Sequence, residues 1–204
     1  MPIGFKNGTD GSFNTAISAM QSASKSHHFL GVNENGMASI VNNTGNPDGH
    51  IVLRGGSKGP NFESEHIKRI SAELRQCNLP HKVMIDCSHG NSNKDFRKQS
   101  EVLKNIASQI SNGEKNILGV MLESHLKEGN QKLLKKEDLQ FGRSITDACI
   151  DIETTKKITC YFIQFTQLVI KKLKNNAEEI GTIKLSIPKT LNCSSKVAKK
   201  AIVK

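Results

Sequence analysis

Apolar positions along the chain alternate between short continuous runs and longer stretches with helical spacing. Ile3-Gly4-Phe5-Lys6 predicts a short strand, followed by the loop Asn7-Gly8-Thr9-Asp10-Gly11. Ser12 predicts the N-cap of a helix carrying Ala16, Ile17, Ala19 and Met20. Residues 29–32 and 38–41, joined by Asn33-Glu34-Asn35-Gly36, predict a β-hairpin. His50 to Arg54 predicts a strand ending in Gly55-Gly56. From Glu63 to Cys77, Ile67, Ile70 and Leu74 recur at helical spacing. Lys82 to Cys87 predicts a strand ending in Ser88-His89-Gly90, and Lys94 to Ile110 a helix with Val102, Leu103, Ile106 and Ile110 turned inward. Asn116 to Leu122 predicts a strand ending in Glu123-Ser124-His125. A loop without periodicity follows to Asp147, and Glu153 to Lys174 predicts a final helix.

Continuous apolar strands with helices between them predict an α/β fold whose parallel strands are buried on both faces. Polar residues gather just after each strand: Lys6-Asn7, Arg54-Gly55-Gly56, Ser88-His89 and Glu123-Ser124-His125. In a β/α barrel those positions form the functional rim. A doubly wound sheet places its site at the same strand ends. It would normally carry a Gly-rich phosphate turn, and neither G-x-G-x-x-G nor G-x-x-x-x-G-K-[ST] occurs here.

Charge alters this picture only at one end. The 204 residues carry a formal net charge of +10. Residues 156–204 hold 11 Lys against two Glu, so the preceding body is close to neutral. With one Tyr and no Trp to stack on bases, a nucleic-acid binder is disfavoured. The longest apolar run, Ile158 to Ile170, is interrupted by Thr159, Gln164, Thr166 and Gln167, so no membrane span is expected. The first residues, Met1 to Lys6, resemble neither a signal nor a transit peptide. Five cysteines without a Cys-x-x-Cys pair argue against a disulfide scaffold or a zinc knuckle. A reducing, cytoplasmic setting is the expectation.

The strand ends carry the candidate chemistry. Lys6 and Arg54 end two different strands on one face, within loops of small residues that expose backbone N–H groups. Arg as a bidentate clamp and Lys as a point charge suit a phosphorylated or carboxylated substrate. A single cation at a strand end is often only a solvated surface group; two on one rim weaken that reading. His89, Glu123 and Asp147 offer an imidazole and two carboxylates, a ligand set for Mn, Fe(II), Zn or Co. By spacing alone, a histidine after a strand is more often a hydrogen-bonded loop residue than a metal ligand, and His89 reads first that way. His27-His28 precedes the hairpin without a nearby carboxylate and reads as structural, and Cys87 reads as a buried, inert thiol.

Five segments are more specific. Residues 4–11 (GFKNGTDG), 50–56 (HIVLRGG), 83–92 (VMIDCSHGNS), 119–126 (GVMLESHL) and 144–149 (SITDAC) resemble, in order and spacing, the class I 3-deoxy-D-arabino-heptulosonate 7-phosphate (DAHP) synthases. The resemblance runs from Pro2 to about residue 160. It implies a β/α (TIM-type) barrel enzyme at the head of the shikimate pathway of aromatic amino-acid biosynthesis. Such a transferase condenses phosphoenolpyruvate with erythrose 4-phosphate, uses a divalent metal ion and releases phosphate with C–O cleavage.

The match is to the family's C-terminal half, so the strands here resemble barrel strands five to eight with a β-hairpin insertion. Residues 1–155 are then a half barrel, 156–174 the final helix, and 175–204 a basic tail atypical of the family. By resemblance, Lys6 and Arg54 bind phosphoenolpyruvate, Lys6 and His89 are catalytic, and His89, Glu123 and Asp147 are metal ligands. The family's fourth ligand, a cysteine near the first strand, has no counterpart in the matching segments, and the remaining substrate arginines belong to the other half. The hairpin lies where the family tends to place subunit contacts and amino-acid feedback sites. A homo-oligomer, or association with a complementary half, is expected. The alternative is an inactive half barrel acting only as a binding or regulatory partner, or a degraded gene product.

Overall fold

In the computed structural model, backbone is described for residues 1–179 and side chains as far as Gln167. The elements run β1 (Ile3–Lys6), α1 (Asn14–Ala23), β2 (His27–Val32), β3 (Ala38–Asn43), β4 (Gly49–Leu53), α2 (Ser64–Gln76), β5 (Val83–Asp86), α3 (Gln99–Ser111), β6 (Ile117–Met121), β7 (Ser124–His125), β8 (Ile150–Asp151) and α4 (Ile152–Glu179). Contacts divide the chain into two units, Met1–Asn91 with Lys115–Met121, and Ser92–Glu114 with Leu122–Lys204.

The first unit holds the main sheet. Its order is β1-β4-β5-β6, and every pairing is parallel, with Phe5 opposite Ile51 and Ile51 opposite Val83. Two of the apolar runs read from the sequence, β4 and β5, are its interior strands; β1 and β6, expected to be buried on both faces, are exposed or half-buried along their length. Ile51, Val52, Leu53, Val83 and Ile85 are almost wholly buried, as strands covered on both faces require. Lone alternation would have exposed every second residue. α1 packs on β1 and β4 through a face that buries Ala16, Ile17 and Met20. α2 buries Ile67, Ile70, Ser71 and Leu74, the stripe its spacing predicts. β1 and β6 are the sheet's two edges. β2 and β3 form a separate antiparallel hairpin that exposes Phe29, Leu30, Val32, Met37 and Ile40.

In the second unit α3 packs against α4, and β7 pairs in parallel with β8. Among the described residues no helix is long and apolar enough to cross a membrane.

Several boundaries differ from the sequence expectation, each for a local reason. Ser12 is not the cap of α1. Its N–H and hydroxyl both donate to Asp10 Oδ1, at 3.0 and 2.8 Å, and the helix starts at Asn14 after Phe13. That competition is the usual habit of short polar side chains near a turn. The helix expected from Lys94 begins only at Gln99. His89, Asn93 and Lys94 have φ of 50°, 52° and 61°, a region an α-helix cannot use. Two 3₁₀ turns, His89–Ser92 and Phe96–Lys98, occupy the space instead, the second capped by Asp95 accepting from Arg97 N–H. The hairpin strands are longer than expected and take in His27 and His28, which bond to Ser22 and Asn42. α4 continues to Glu179, past the expected end at 174. The rest of the expected basic tail, 180–204, lies outside the described residues.

Candidate functional site

The loops that follow β1, β4 and β5 meet backbone to backbone. Gly55 has φ of 69°, and a Cβ there would lie 2.5 Å from the carbonyl carbon of Gly90. A Cβ on Gly90 would lie 2.6 Å from the nitrogen of Gly56. Only glycine allows that approach.

Three buried asparagines then tie the loops together. Asn7 Oδ1 accepts from Arg54 N–H at 2.7 Å and from Asn61 Nδ2 at 3.2 Å, while Asn7 Nδ2 donates to the carbonyls of Gly8 and Gly55. Asn61 Oδ1 accepts from Gly55 N–H at 2.7 Å. Asn91 Oδ1 accepts from Asn61 N–H, and its Nδ2 donates to the carbonyls of Leu53 and Asp86. Each amide in this network is satisfied, which is what makes a buried polar cluster rigid rather than costly.

That scaffold carries three of the five expected residues. Lys6 ends β1 and places Nζ 2.9 Å from Asp86 Oδ2. Lys6 is 37% exposed and Asp86 is 0% exposed, so the cation reaches solvent and its partner does not. His89 opens the turn after β5, and its Nδ1 lies 3.0 Å from the same Asp86 Oδ2. Arg54 follows β4, half-buried; its N–H is held by Asn7 and its carbonyl accepts from Gly90 N–H at 2.9 Å. Cys87, expected to be an inert thiol, is buried, and burial followed by the Asp86 carboxylate pushes its pKa well up.

Glu123 and Asp147, the other two expected residues, belong to the second unit. The backbone of Glu123 is pinned by the buried Gln99, whose Oε1 accepts from Glu123 N–H at 2.8 Å and whose Nε2 donates to its carbonyl at 3.1 Å. That carbonyl also accepts from Ile150 N–H. Glu123 is half-buried and Asp147 exposed, and each offers a carboxylate oxygen within 4.8 Å of the other. The Cys149 thiol is raised by burial first and by Glu123 next. Lys6 and His89 thus meet beside Asp86, and the Glu123 and Asp147 carboxylates lie near each other.

Asp86 and the asparagines Asn7, Asn61 and Asn91 were not singled out by the sequence. The signal for Asp86 was present: an acid closing an otherwise apolar strand, three residues before His89. A separate cleft of about 450 Å³, lined by Asp10, Lys58, His66, Arg69 and Glu73 among others, includes neither Lys6, Arg54 nor His89.

Comparison with known proteins follows the same segments. Residues 1–160 match the DAHP synthetase I family. The chain is 52% identical over 154 residues to the Phe-sensitive phospho-2-dehydro-3-deoxyheptonate aldolase of Escherichia coli K12, covering 76% of this chain and 44% of that protein. It is 49% identical over 158 residues to the tyrosine-inhibited aldolase of Schizosaccharomyces pombe, covering 76% and 42%. The structure of the aldolase from Francisella tularensis SCHU S4 superposes with a TM-score of 0.76 at 46% identity, covering 82% of this chain and 48% of that one. The chain spans less than half the length of each of these relatives.

Proposed function

The chain belongs to the DAHP synthetase I family, and on that premise we propose that it takes part in condensing phosphoenolpyruvate with D-erythrose 4-phosphate to give DAHP and phosphate. The observation that carries this is the family match across residues 1–160, which includes every strand-end segment described above.

In this reading residues 1–155 form half of a β/α barrel, corresponding to strands five to eight, with 156–174 as its closing helix and 175–204 as an added basic tail. The parallel order β1-β4-β5-β6, with β1 and β6 as edges, supports it. A half barrel calls for a complementary half or a second copy, because unpaired edges and an uncovered apolar face favour association.

Lys6 and Arg54 bind the phosphate and carboxylate of phosphoenolpyruvate. The Lys6 ammonium, anchored on Asp86, supplies a fixed point charge. Arg54 supplies a planar fork from a backbone held by Asn7. His89, Glu123 and Asp147 hold a divalent ion such as Mn, Fe(II), Zn or Co. The donors fit it: an imidazole with two carboxylates is a borderline-hard set, and the Glu123 and Asp147 oxygens lie within 4.8 Å of each other. When bound, the ion supplies Lewis-acid polarisation of the aldehyde. Lys6 and His89 are the residues at the reacting groups, and the Asn7-Asn61-Asn91 network keeps their loops from relaxing.

The test is DAHP formation by this chain mixed with the separately made N-terminal half of the E. coli Phe-sensitive relative. Activity should appear in the mixture and fall at least ~10-fold with Arg54→Ala, the scale of a lost charge-assisted clamp. A mixture that forms no DAHP, or an Arg54→Ala chain as active as the wild type, contradicts the reading.

A further inference from the structure

We propose that Gln99 is a positioning residue for the divalent-ion site: its buried amide holds the backbone of Glu123 so that this carboxylate stays beside that of Asp147. The inference rests on the reading of Glu123 and Asp147 as metal ligands.

Glu123 lies between β6 and β7, at a point where the chain belongs to neither strand. Its N–H and its carbonyl still need partners. Gln99, the first residue of α3, is 0% exposed and serves both. Its Oε1 accepts from Glu123 N–H at 2.8 Å, and its Nε2 donates to the Glu123 carbonyl at 3.1 Å. These are the two bonds that one residue of an antiparallel neighbour would exchange. A helix side chain thus stands in for a strand.

The same carbonyl also accepts from Ile150 N–H at 3.1 Å. Ile150 opens β8, three residues after Asp147. Beside it, Cys149 exchanges both backbone bonds with Gly129, at 3.2 and 2.8 Å. The Glu123 carbonyl therefore ties α3 to the segment that carries Asp147.

A structural role alone would end with the backbone satisfied. Two features go further. Glu123 and Asp147 offer carboxylate oxygens within 4.8 Å of each other, and two anions that close repel. The clamp acts on the very residue that carries one of them. It is also neutral. A Lys or Arg in its place would bring a charge of its own to the carboxylates, whereas an amide fixes the backbone and leaves their negative charge to attract a cation. Outer hydrogen bonds that orient a ligand raise metal affinity, because less freedom is lost on binding.

The experiment compares the full chain with Gln99→Met, which keeps the unbranched length of the side chain and removes both bonds. Ile106→Val, at a buried position of the same helix, is the stability control, since it loosens apolar packing and removes no hydrogen bond. Mn(II) affinity is read by calorimetry, and exchange of the Glu123 amide by NMR of the metal-free protein. The wild-type amide should be protected, and Gln99→Met should lose that protection. Its Mn(II) affinity should fall at least ~10-fold, the lower end of the cost of losing an outer hydrogen-bond partner. Ile106→Val should bind Mn(II) as the wild type does. A wild-type Glu123 amide that exchanges as freely as that of the exposed Glu128 overturns the proposal, and that result needs no variant to fold. So does a folded Gln99→Met chain with unchanged Mn(II) affinity, or an equal fall in Ile106→Val. Glu123→Gln separates the proposal from the reading beneath it. If that variant binds Mn(II) as tightly as wild type, the metal reading of Glu123 fails and the proposal with it. If it weakens Mn(II) while Gln99→Met does not, the proposal fails alone.

Discussion

Replacing Asn7 by Leu should be among the most damaging single changes outside the apolar core. Asn7 is 2% exposed and makes four side-chain hydrogen bonds, to Arg54 N–H, Asn61 Nδ2 and the carbonyls of Gly8 and Gly55. Leu keeps the branched skeleton of Asn with bulkier methyl groups, so the loss is mainly of hydrogen bonds, with any overpacking adding to it. At about 1 kcal/mol for each bond, with more where a buried partner is stranded, the cost is about 3–5 kcal/mol. Gly55 O and Asn61 Nδ2 are the partners most fully stranded, because both of those contacts are buried. For a chain of this size that is a drop in Tm of roughly 6–20 °C. Thermal unfolding followed by circular dichroism reads it directly. Asn7→Asp is the companion variant: it keeps the acceptor but loses both donated bonds, so it should fall between wild type and Asn7→Leu. A loss below about 1 kcal/mol for Asn7→Leu would show that the asparagine network does not hold the three loops together.

Other consequences are more local. Gly90→Ala puts a Cβ 2.6 Å from the nitrogen of Gly56, where only backbone could yield. It should destabilise by about 1–3 kcal/mol in the same melt, as overpacking does, and an unchanged Tm would refute the close approach. Burial and the neighbouring carboxylate raise the Cys87 thiol, so its thiolate is scarce up to high pH. Iodoacetamide at pH 8 should therefore label the half-buried Cys77 well before Cys87 by mass spectrometry, with the order reversed only if the strand opens. Hydrogen bonds from Ser12 N–H and its hydroxyl hold the exposed Asp10 carboxyl below its ordinary value. The stabilisation this gives is present above the unfolded value near 3.8 and is lost as pH falls through the lower folded one. Ser12→Ala should bring the Asp10 pKa back up in an NMR titration, and no change would discount the hydroxyl's part.

The sequence made some parts of this fold easy to read and hid others, for physical reasons. β4 and β5 were legible because strands covered on both faces become continuous apolar runs, and Ile51, Leu53, Val83 and Ile85 are such residues. α2 was legible because Ile67, Ile70 and Leu74 need one face only. β7 and β8 were not, since two residues each leave no periodicity to detect. The start of α3 was misplaced because Asn93 and Lys94 carry positive φ without being glycine. Ser12 misled because capping and turn formation draw on the same hydroxyl. At the site, Lys6, Arg54 and His89 stood out as charged or titratable residues closing apolar strands. Asp86 closes one as well, yet it reads as ordinary strand-end polarity until the structure shows it buried, with the Lys6 ammonium bonded to one oxygen and the His89 ring close beside it. The asparagines were invisible for a different reason. Asn7, Asn61 and Asn91 lie in loops where asparagine is common, and only their mutual contacts distinguish them.

The central claim is that His89, Glu123 and Asp147 act together as ligands of one divalent ion. Calorimetric titration of Mn(II) into the intact chain, beside His89→Gln, Glu123→Gln and Asp147→Asn, tests it most directly. The account predicts one saturable site in the wild type that is lost or weakened at least ~10-fold in each of the three variants, since each removes a ligand atom. Equal Mn(II) binding by the wild type and all three variants would contradict it.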